Sequence, residues 1–147
     1  MSPSTAQVCD AYAQAVRFRL RGSRILLGGP HVTMCAEEAS RYADVVFVGE
    51  GEELFHVFLQ DERTGRSKRM YRADHRPTLA LSPPPRYDLA VKYPYKSIPL
   101  QLSRGCPHQC RFCLSSTIYG KSVRRKSLKQ VEEELSRIRK LWKRPYL

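Results

Sequence analysis

The sequence predicts an α/β protein: a parallel, Rossmann-like sheet followed by a separate strand–loop–helix unit. Helical and strand patterns alternate through residues 5–61, which is the signature of strands joined by crossover helices. The run Asp44-Val-Val-Phe-Val48 is apolar throughout, as a parallel strand covered on both faces should be. A second apolar run, Ile98 to Ser103, leads into a short cysteine-rich loop and then a helix.

Residues 5–20 read as an amphipathic helix, with Val8, Tyr12, Val16 and Leu20 recurring every four positions beside Ala11 and Ala15. Cys9 falls near that apolar face, where a free thiol behaves as a small buried hydrophobe. Arg21-Gly22-Ser23 ends the helix. Ile25-Leu-Leu27 is a buried strand followed at once by Gly28-Gly29-Pro30-His31, and two glycines at a strand's carboxyl end admit close approach of a backbone or ligand. His31 reads as a solvated loop histidine. Thr33 to Tyr42 forms a helix with Glu37 and Glu38 in its first turns, where negative charge suits the helix dipole. After the strand 44–48 come Gly49-Glu-Gly-Glu52 and a helix carrying Leu54, Phe55, Phe58 and Leu59 to about Asp61.

A connecting stretch follows. Arg63-Thr-Gly-Arg66 is a turn, Arg69 to Arg72 a brief edge strand, and Pro83-Pro-Pro85 an extended spacer in polyproline geometry. Tyr87, Tyr93 and Tyr95 lie in an irregular polar-aromatic segment. Beyond the cysteine loop, Ser127 with Gln130 makes a capping box. Leu128, Val131, Leu135, Ile138 and Leu141 or Trp142 form the apolar stripe of the helix it starts, and Pro145 prevents its simple continuation. Arg124 and Arg125 read as part of a solvated basic face.

Composition narrows the function classes. No run of about 18 apolar residues is present, so nothing spans a membrane as a helix. Met1-Ser-Pro-Ser-Thr-Ala-Gln7 lacks a basic region followed by an apolar stretch, so a secretory signal is not expected and the five cysteines read as reduced thiols in a cytoplasmic protein. The net charge of +12 divides into −2 over residues 1–60 and +14 over 61–147. Such asymmetry marks a nucleic-acid surface or a basic face that meets an acidic partner. No aromatic-basic recognition motif accompanies it, so nucleic acid is not the expected partner.

The chemistry concentrates in Cys106-Pro-His-Gln-Cys110-Arg-Phe-Cys113. Three thiolates in so short a loop select iron–sulfur clusters, zinc or copper(I). Four would close a 4Fe–4S cluster, whereas three leave one iron open. The alternative is a zinc-stabilised basic nucleic-acid-binding module, although His108 lies between two of the cysteines and is poorly placed to share one tetrahedral centre with all three.

The spacing CxxxCxxC, with Phe112 directly before the last cysteine and Ser103-Arg104-Gly105 before the first, resembles the signature loop of the radical S-adenosylmethionine enzymes. The resemblance implies that Cys106, Cys110 and Cys113 hold a 4Fe–4S cluster whose open iron chelates S-adenosylmethionine, with Phe112 near the adenine. One electron then cleaves the sulfonium to methionine and a 5′-deoxyadenosyl radical. Upstream, Gly28-Gly29-Pro-His, the Glu37-Glu38 helix and Gly49-Glu-Gly-Glu52 look like the subfamily that carries a cobalamin-binding domain, with Gly28 and Gly29 beside the cofactor's nucleotide tail.

That likeness divides the chain into residues 1–62, the carboxyl-terminal part of a cobalamin-binding-like Rossmann domain; residues 63–97, a linker; and residues 98–147, the opening strand–loop–helix unit of a radical S-adenosylmethionine partial TIM barrel. The subfamily's upstream Asp-x-His-x-x-Gly and Ser-x-Leu elements and its downstream Gly-Gly-Glu motif do not occur here, so the chain reads as a fragment that is inactive alone. The implied partners are a small-molecule or peptide substrate and an electron donor such as flavodoxin or ferredoxin.

Overall fold

The computed structural model describes residues 1–142. Its centre is a three-stranded parallel sheet in the order β1 (Leu26–Leu27), β2 (Val45–Val48) and β3 (Met70–Arg72). Leu26 stands opposite Val45, and Val46 opposite Met70. Helix α1 (Val8–Arg19) precedes β1; α2 (Pro30–Met34) and α3 (Ala36–Ala39) join β1 to β2; α4 (Gly51–Arg63) joins β2 to β3.

Side chains alternate across a strand, so β2 feeds two cores at once. Val46 and Val48 pack with Val8, Tyr12, Ala15, Leu27, Val32 and Ala39 on one face. Val45 and Phe47 pack with Phe58 and Tyr71 on the other, partly covered by Leu54 and Leu59 of α4. Burial on both sides is why β2 is apolar at every position. β3 is the brief edge strand expected over Arg69–Arg72, and it joins this sheet because the stretch after α4 returns to pair with β2.

Three local expectations are corrected. The buried stripe of α1 is Val8, Tyr12 and Ala15, while Val16 is 44% and Leu20 83% exposed and Cys9 is exposed. A strict four-residue repeat drifts by about 40° per step on a helix of 3.6 residues per turn, so by Leu20 it has left the core-facing side. The helix expected over 33–42 is two short ones that begin earlier. Pro30 occupies the first turn of α2, where its missing N–H costs nothing, and the backbone breaks at Cys35 with φ −125° and ψ 49°. His31 is not solvated but 8% exposed on α2.

The second unit is built differently from the expected single strand. β4 (Ser103–Arg104) pairs antiparallel with β5 (Arg124–Arg125), so the cysteine loop is closed by a small ribbon, and Ile98–Leu102 lies outside the ladder. With no parallel neighbour, those residues have no ladder to hold them as a strand, although the Leu102 carbonyl accepts from the Lys126 amide at 3.0 Å. Ile98 is nevertheless buried, packing with Tyr87 of α5 (Tyr87–Ala90) and Ile138 of α7 (Leu128–Leu141). The Ser127–Gln130 capping box is present, and the Gln130 amide also donates to the Leu79 and Ala80 carbonyls at 2.9 and 3.0 Å. The α7 stripe is narrower than predicted: Ile138 is buried, Leu128 is 82% exposed, and a charged residue, Glu134, sits 1% exposed beside Ile138. Pro145 lies outside the described residues. Among the described residues no helix is long and apolar enough to cross a membrane.

Leu27 is fully buried where both the α1 and α2 sides meet β1. Leu27→Ala should destabilise the fold by about 2–5 kcal/mol, and Leu20→Ala by about 0.5 kcal/mol or less, in urea unfolding monitored by far-ultraviolet circular dichroism.

Candidate metal and cofactor site

Ligands of open parallel sheets bind outside the carboxyl ends of the strands. Here those ends carry Gly28-Gly29 after β1 and Gly49 to Glu52 after β2, and they line a cleft of about 580 Å³. Gln101, Arg104, Ile118 and Tyr119 from the second unit form its other wall. Gly29 has φ +91°, and a β-carbon there would overlap the Ser2 side chain, so the turn needs glycine. Gly28 is different. A β-carbon at Gly28 would make an ordinary 3.5 Å contact with Phe47, so nothing inside the chain compels glycine, and its bare backbone widens the cleft.

The two walls are joined by one buried carboxylate. Glu50, with its side chain 3% exposed, accepts from Arg104 at 2.7 Å and from both terminal nitrogens of Arg124 at 3.0 and 2.5 Å. Arg104 also pairs with Glu52 at 2.5 Å and donates to Gln101 at 2.8 Å. Arg124 donates further to the carbonyls of Pro77 and Tyr119, at 2.6 and 3.0 Å. Burial pushes the Glu50 carboxyl upward, and the hydrogen bonds from Arg124 and Arg104 override it, leaving it below the usual carboxylate range. The same contacts hold Arg104 firmly protonated despite its burial.

These arginines flank the cysteine loop, Arg104 two residues before Cys106 and Arg124 on the returning strand. Gly105, between Arg104 and Cys106, has φ +95°, and a β-carbon there would run into the Ser122 carbonyl. The Cys106 amide donates to the Gly120 carbonyl at 3.0 Å, and the Cys113 amide to the Cys110 carbonyl at 3.0 Å. The base of the loop is therefore tightly held while its tip faces solvent. Cys106 and Cys113 are half-buried, Cys110 is exposed, and Phe112 is 91% exposed. The Ser115 amide donates to Cys113 Sγ at 3.5 Å and its hydroxyl lies 3.3 Å from the same sulfur, which lowers the Cys113 pKa toward the thiolate form.

The structure thus places Cys106, Cys110 and Cys113 on one loop without gathering their sulfurs at single-ion spacing. Among the described residues, the one trio of ligand-type side chains whose donor atoms lie within 4.8 Å of one another is His31, Cys35 and Glu38. Arg125 is exposed as expected, but Arg124 is not a solvated residue. Tyr87 is buried and donates to Glu134 at 3.3 Å, whereas Tyr93 and Tyr95 are exposed and pack edge-to-face on each other. Glu134 also accepts from Lys126 at 2.5 Å, and both side chains are under 5% exposed.

The Glu50 arginine pair and the Lys126–Glu134 pair escape sequence reasoning. The split of charge between an acidic first half and a basic second half was the available signal for the former. For the latter there was none, since a helix stripe is read for apolar residues.

No family model matches the chain. It is similar to the bacteriochlorophyllide d C-8(2)-methyltransferase of Chlorobaculum tepidum, 32% identical over 143 residues that cover 92% of this chain and 32% of that protein. The bacteriochlorophyllide d C-12(1)-methyltransferase of the same organism is 32% identical, over 89% of this chain and 30% of its own. The hopanoid C-2 methylase of Rhodopseudomonas palustris is 31% identical, over 78% and 22% respectively. The chain spans a third or less of the length of these relatives.

Glu50→Gln should cost about 3 kcal/mol at neutral pH, because it takes the carboxylate from the buried Arg124 guanidinium and leaves Arg104 with Glu52 alone. The folded-state pKa of Glu50 is lowered, so its contribution is complete above the unfolded carboxylate value of about 4.3 and fades as pH falls through the folded value. Unfolding curves of the native chain and Glu50→Gln should therefore converge as pH is lowered from 7 toward 3.

Proposed function

We propose that this chain, which belongs to the radical S-adenosylmethionine enzymes of the cobalamin-binding-domain subfamily, carries the cluster loop and one wall of the cofactor cleft of a methyl-transferring enzyme. The single observation that carries the reading is the CxxxCxxC loop, held at its base against strand ends that bear Gly28-Gly29 and Gly49 to Glu52. Methyl transfer is supported by the names of the three relatives, each a methyltransferase or methylase.

Cys106, Cys110 and Cys113 would be the iron ligands. Their donor set is soft sulfur alone, the tip of the loop is open to solvent for loading, and Ser115 already favours the thiolate on Cys113. A reduced 4Fe–4S cluster held there would supply the one electron for reductive cleavage of the sulfonium of S-adenosylmethionine to methionine and a 5′-deoxyadenosyl radical. Phe112 presents a free aromatic face beside the ligands, which suits stacking on an adenine. Gly28 and Gly29 would lie against the nucleotide tail of cobalamin, in the cleft that the missing side chain at Gly28 leaves open.

β4, the loop and the helices α6 (Ser115–Tyr119) and α7 would be the opening unit of a partial TIM barrel, with residues 63–97, which include β3 of the parallel sheet, leading to it from a Rossmann-like cobalamin domain. Turnover would need parts that the relatives have outside the matched third. The substrate would be a small molecule or peptide. The +14 charge beyond residue 60 suits an acidic electron donor such as flavodoxin or ferredoxin in a cytoplasmic setting.

Anaerobic reconstitution with iron and sulfide tests the ligand assignment. The native chain should take up about four irons and four sulfides, and its visible spectrum should change when S-adenosylmethionine is added. Cys110→Ala should lose most of the iron and the broad charge-transfer absorbance. Retention of a full cluster by that variant would defeat the assignment. Purified chain holding zinc but no iron or sulfide before and after reconstitution, with RNA binding that weakens steeply with salt, would instead establish the zinc-stabilised module.

A further inference from the structure

We propose a second metal site in this chain, a single zinc-class divalent cation held by His31, Cys35 and Glu38 where α2 meets α3. Positions 31, 35 and 38 are spaced by four and three residues, the spacing that returns to one face of a helical path. The break at Cys35 does not carry them apart: Nε2, Sγ and a carboxylate oxygen all lie within 4.8 Å of one another. Nitrogen, sulfur and oxygen donors together suit zinc or cobalt(II), and not the all-oxygen preference of magnesium or calcium.

The geometry at His31 is that of a ligand. Its Nε2 stands 3.4 Å from Glu38 Oε1, long for a charge-assisted hydrogen bond, yet close to the edge of about 3.3 Å that tetrahedral zinc sets between a nitrogen and an oxygen ligand. Its Nδ1 is 3.2 Å from the Thr5 hydroxyl, an outer partner of the kind that fixes the tautomer and turns Nε2 toward a metal. With Nδ1 as the donor, the Nε2 lone pair faces a carboxylate oxygen, and a cation between them removes the repulsion.

A second observation points into the same place. Tyr12 is 7% exposed, and its buried hydroxyl makes no hydrogen bond of full geometry, the Glu38 carboxylate being the acceptor it approaches. That hydroxyl lies beside Cys35 and Glu38, two of the three proposed ligands. A buried phenol with one poorly formed hydrogen bond is under-satisfied, and an oxygen ligand position or a metal-bound water would complete it. Cys35 is half-buried and the Glu38 side chain 49% exposed, so a cation has an entry path. The bound ion would brace α2 and α3 against α1, directly after the Gly28-Gly29 turn.

The test uses the full chain with Cys106, Cys110 and Cys113 all replaced by Ala, titrated with cobalt(II) alone. One equivalent should bind, with the thiolate charge-transfer band and the intense visible bands of tetrahedral cobalt, and zinc should displace it. Adding Cys35→Ser should abolish the charge-transfer band, and Glu38→Gln should weaken binding about tenfold or more with an unchanged circular dichroism spectrum. A folded triple variant that binds no cobalt at stoichiometric concentration, or a Cys35→Ser spectrum identical to its parent, would overturn the proposal. Should the triple variant not fold, metal analysis of the native chain decides: Cys35→Ser should lower zinc by one equivalent and leave iron unchanged, and equal zinc in the two proteins would overturn it.

Discussion

The carboxylate of Glu50 is the point on which the arrangement of the two units depends. Two guanidiniums and a second carboxylate, Glu52, surround it, so the group is electrically balanced. Burying four charges costs several kcal/mol per ion unless the geometry repays it, and here nearly every donor finds an acceptor. Arg124 reaches two backbone carbonyls besides Glu50, and Arg104 reaches Gln101. The Arg124 Nε, buried without a partner, is the exception. Glu50 occupies the amino-terminal cap of α4, yet its side chain makes no capping bond to that helix. A carboxylate that could have satisfied its own helix is spent across 54 and 74 residues of sequence instead.

That choice places the cysteine loop. Through Arg104 the strand entering the loop is tied to the end of β2, and through Arg124 the strand leaving it is tied to the same two oxygens. The glycine turn after β1, the Glu50 pairs after β2 and the loop's base then surround one cleft. A cofactor on the sheet's edge and a cluster on the loop would be neighbours because one carboxylate brings their two supports together. Pairs as buried as these are screened little by salt, so this coupling should persist at ionic strengths that weaken the surface pairs Arg19–Asp44 and Arg86–Asp88.

What could be read from the sequence follows from the range of the interactions that decide each feature. β2 was legible because burial on both faces leaves an unbroken apolar run, and the Ser127 cap because its partner is three residues away. The α1 stripe was half legible: its first two members are right, and the error grows with the mismatch between a repeat of four and a turn of 3.6 residues. Ile98 to Ser103 looked like a strand because apolar residues were counted, but a strand is made by its neighbour, and only Ser103 and Arg104 have one. His31 looked solvated beside glycine and proline; its ring nitrogens instead meet Thr5, from ahead of α1, and Glu38, from α3. The roles of Glu50, Arg104 and Arg124 were invisible for the same reason, although the residues stand in motifs that could be quoted. The three thiols share one loop because eight residues of sequence hold them all, but the convergence of their sulfurs is not fixed by that spacing.

The loop itself is held where it must be and loose where it should be. Its ends carry the ribbon, the Gly105 turn and the Cys106–Gly120 bond, while Cys110 and Phe112 have almost no packing of their own. If the base were as free as the tip, metal uptake would have to order the whole segment, and that entropy would be subtracted from affinity. If the tip were packed as the base is, the sulfurs would be locked at positions chosen by the protein core and not by the metal. A rigid frame with a short adaptable arc would let a bound ion set the final ligand geometry at small conformational cost. The frame is tied by the two guanidiniums on Glu50, so the placing of the loop is a property of contacts made far from it in sequence.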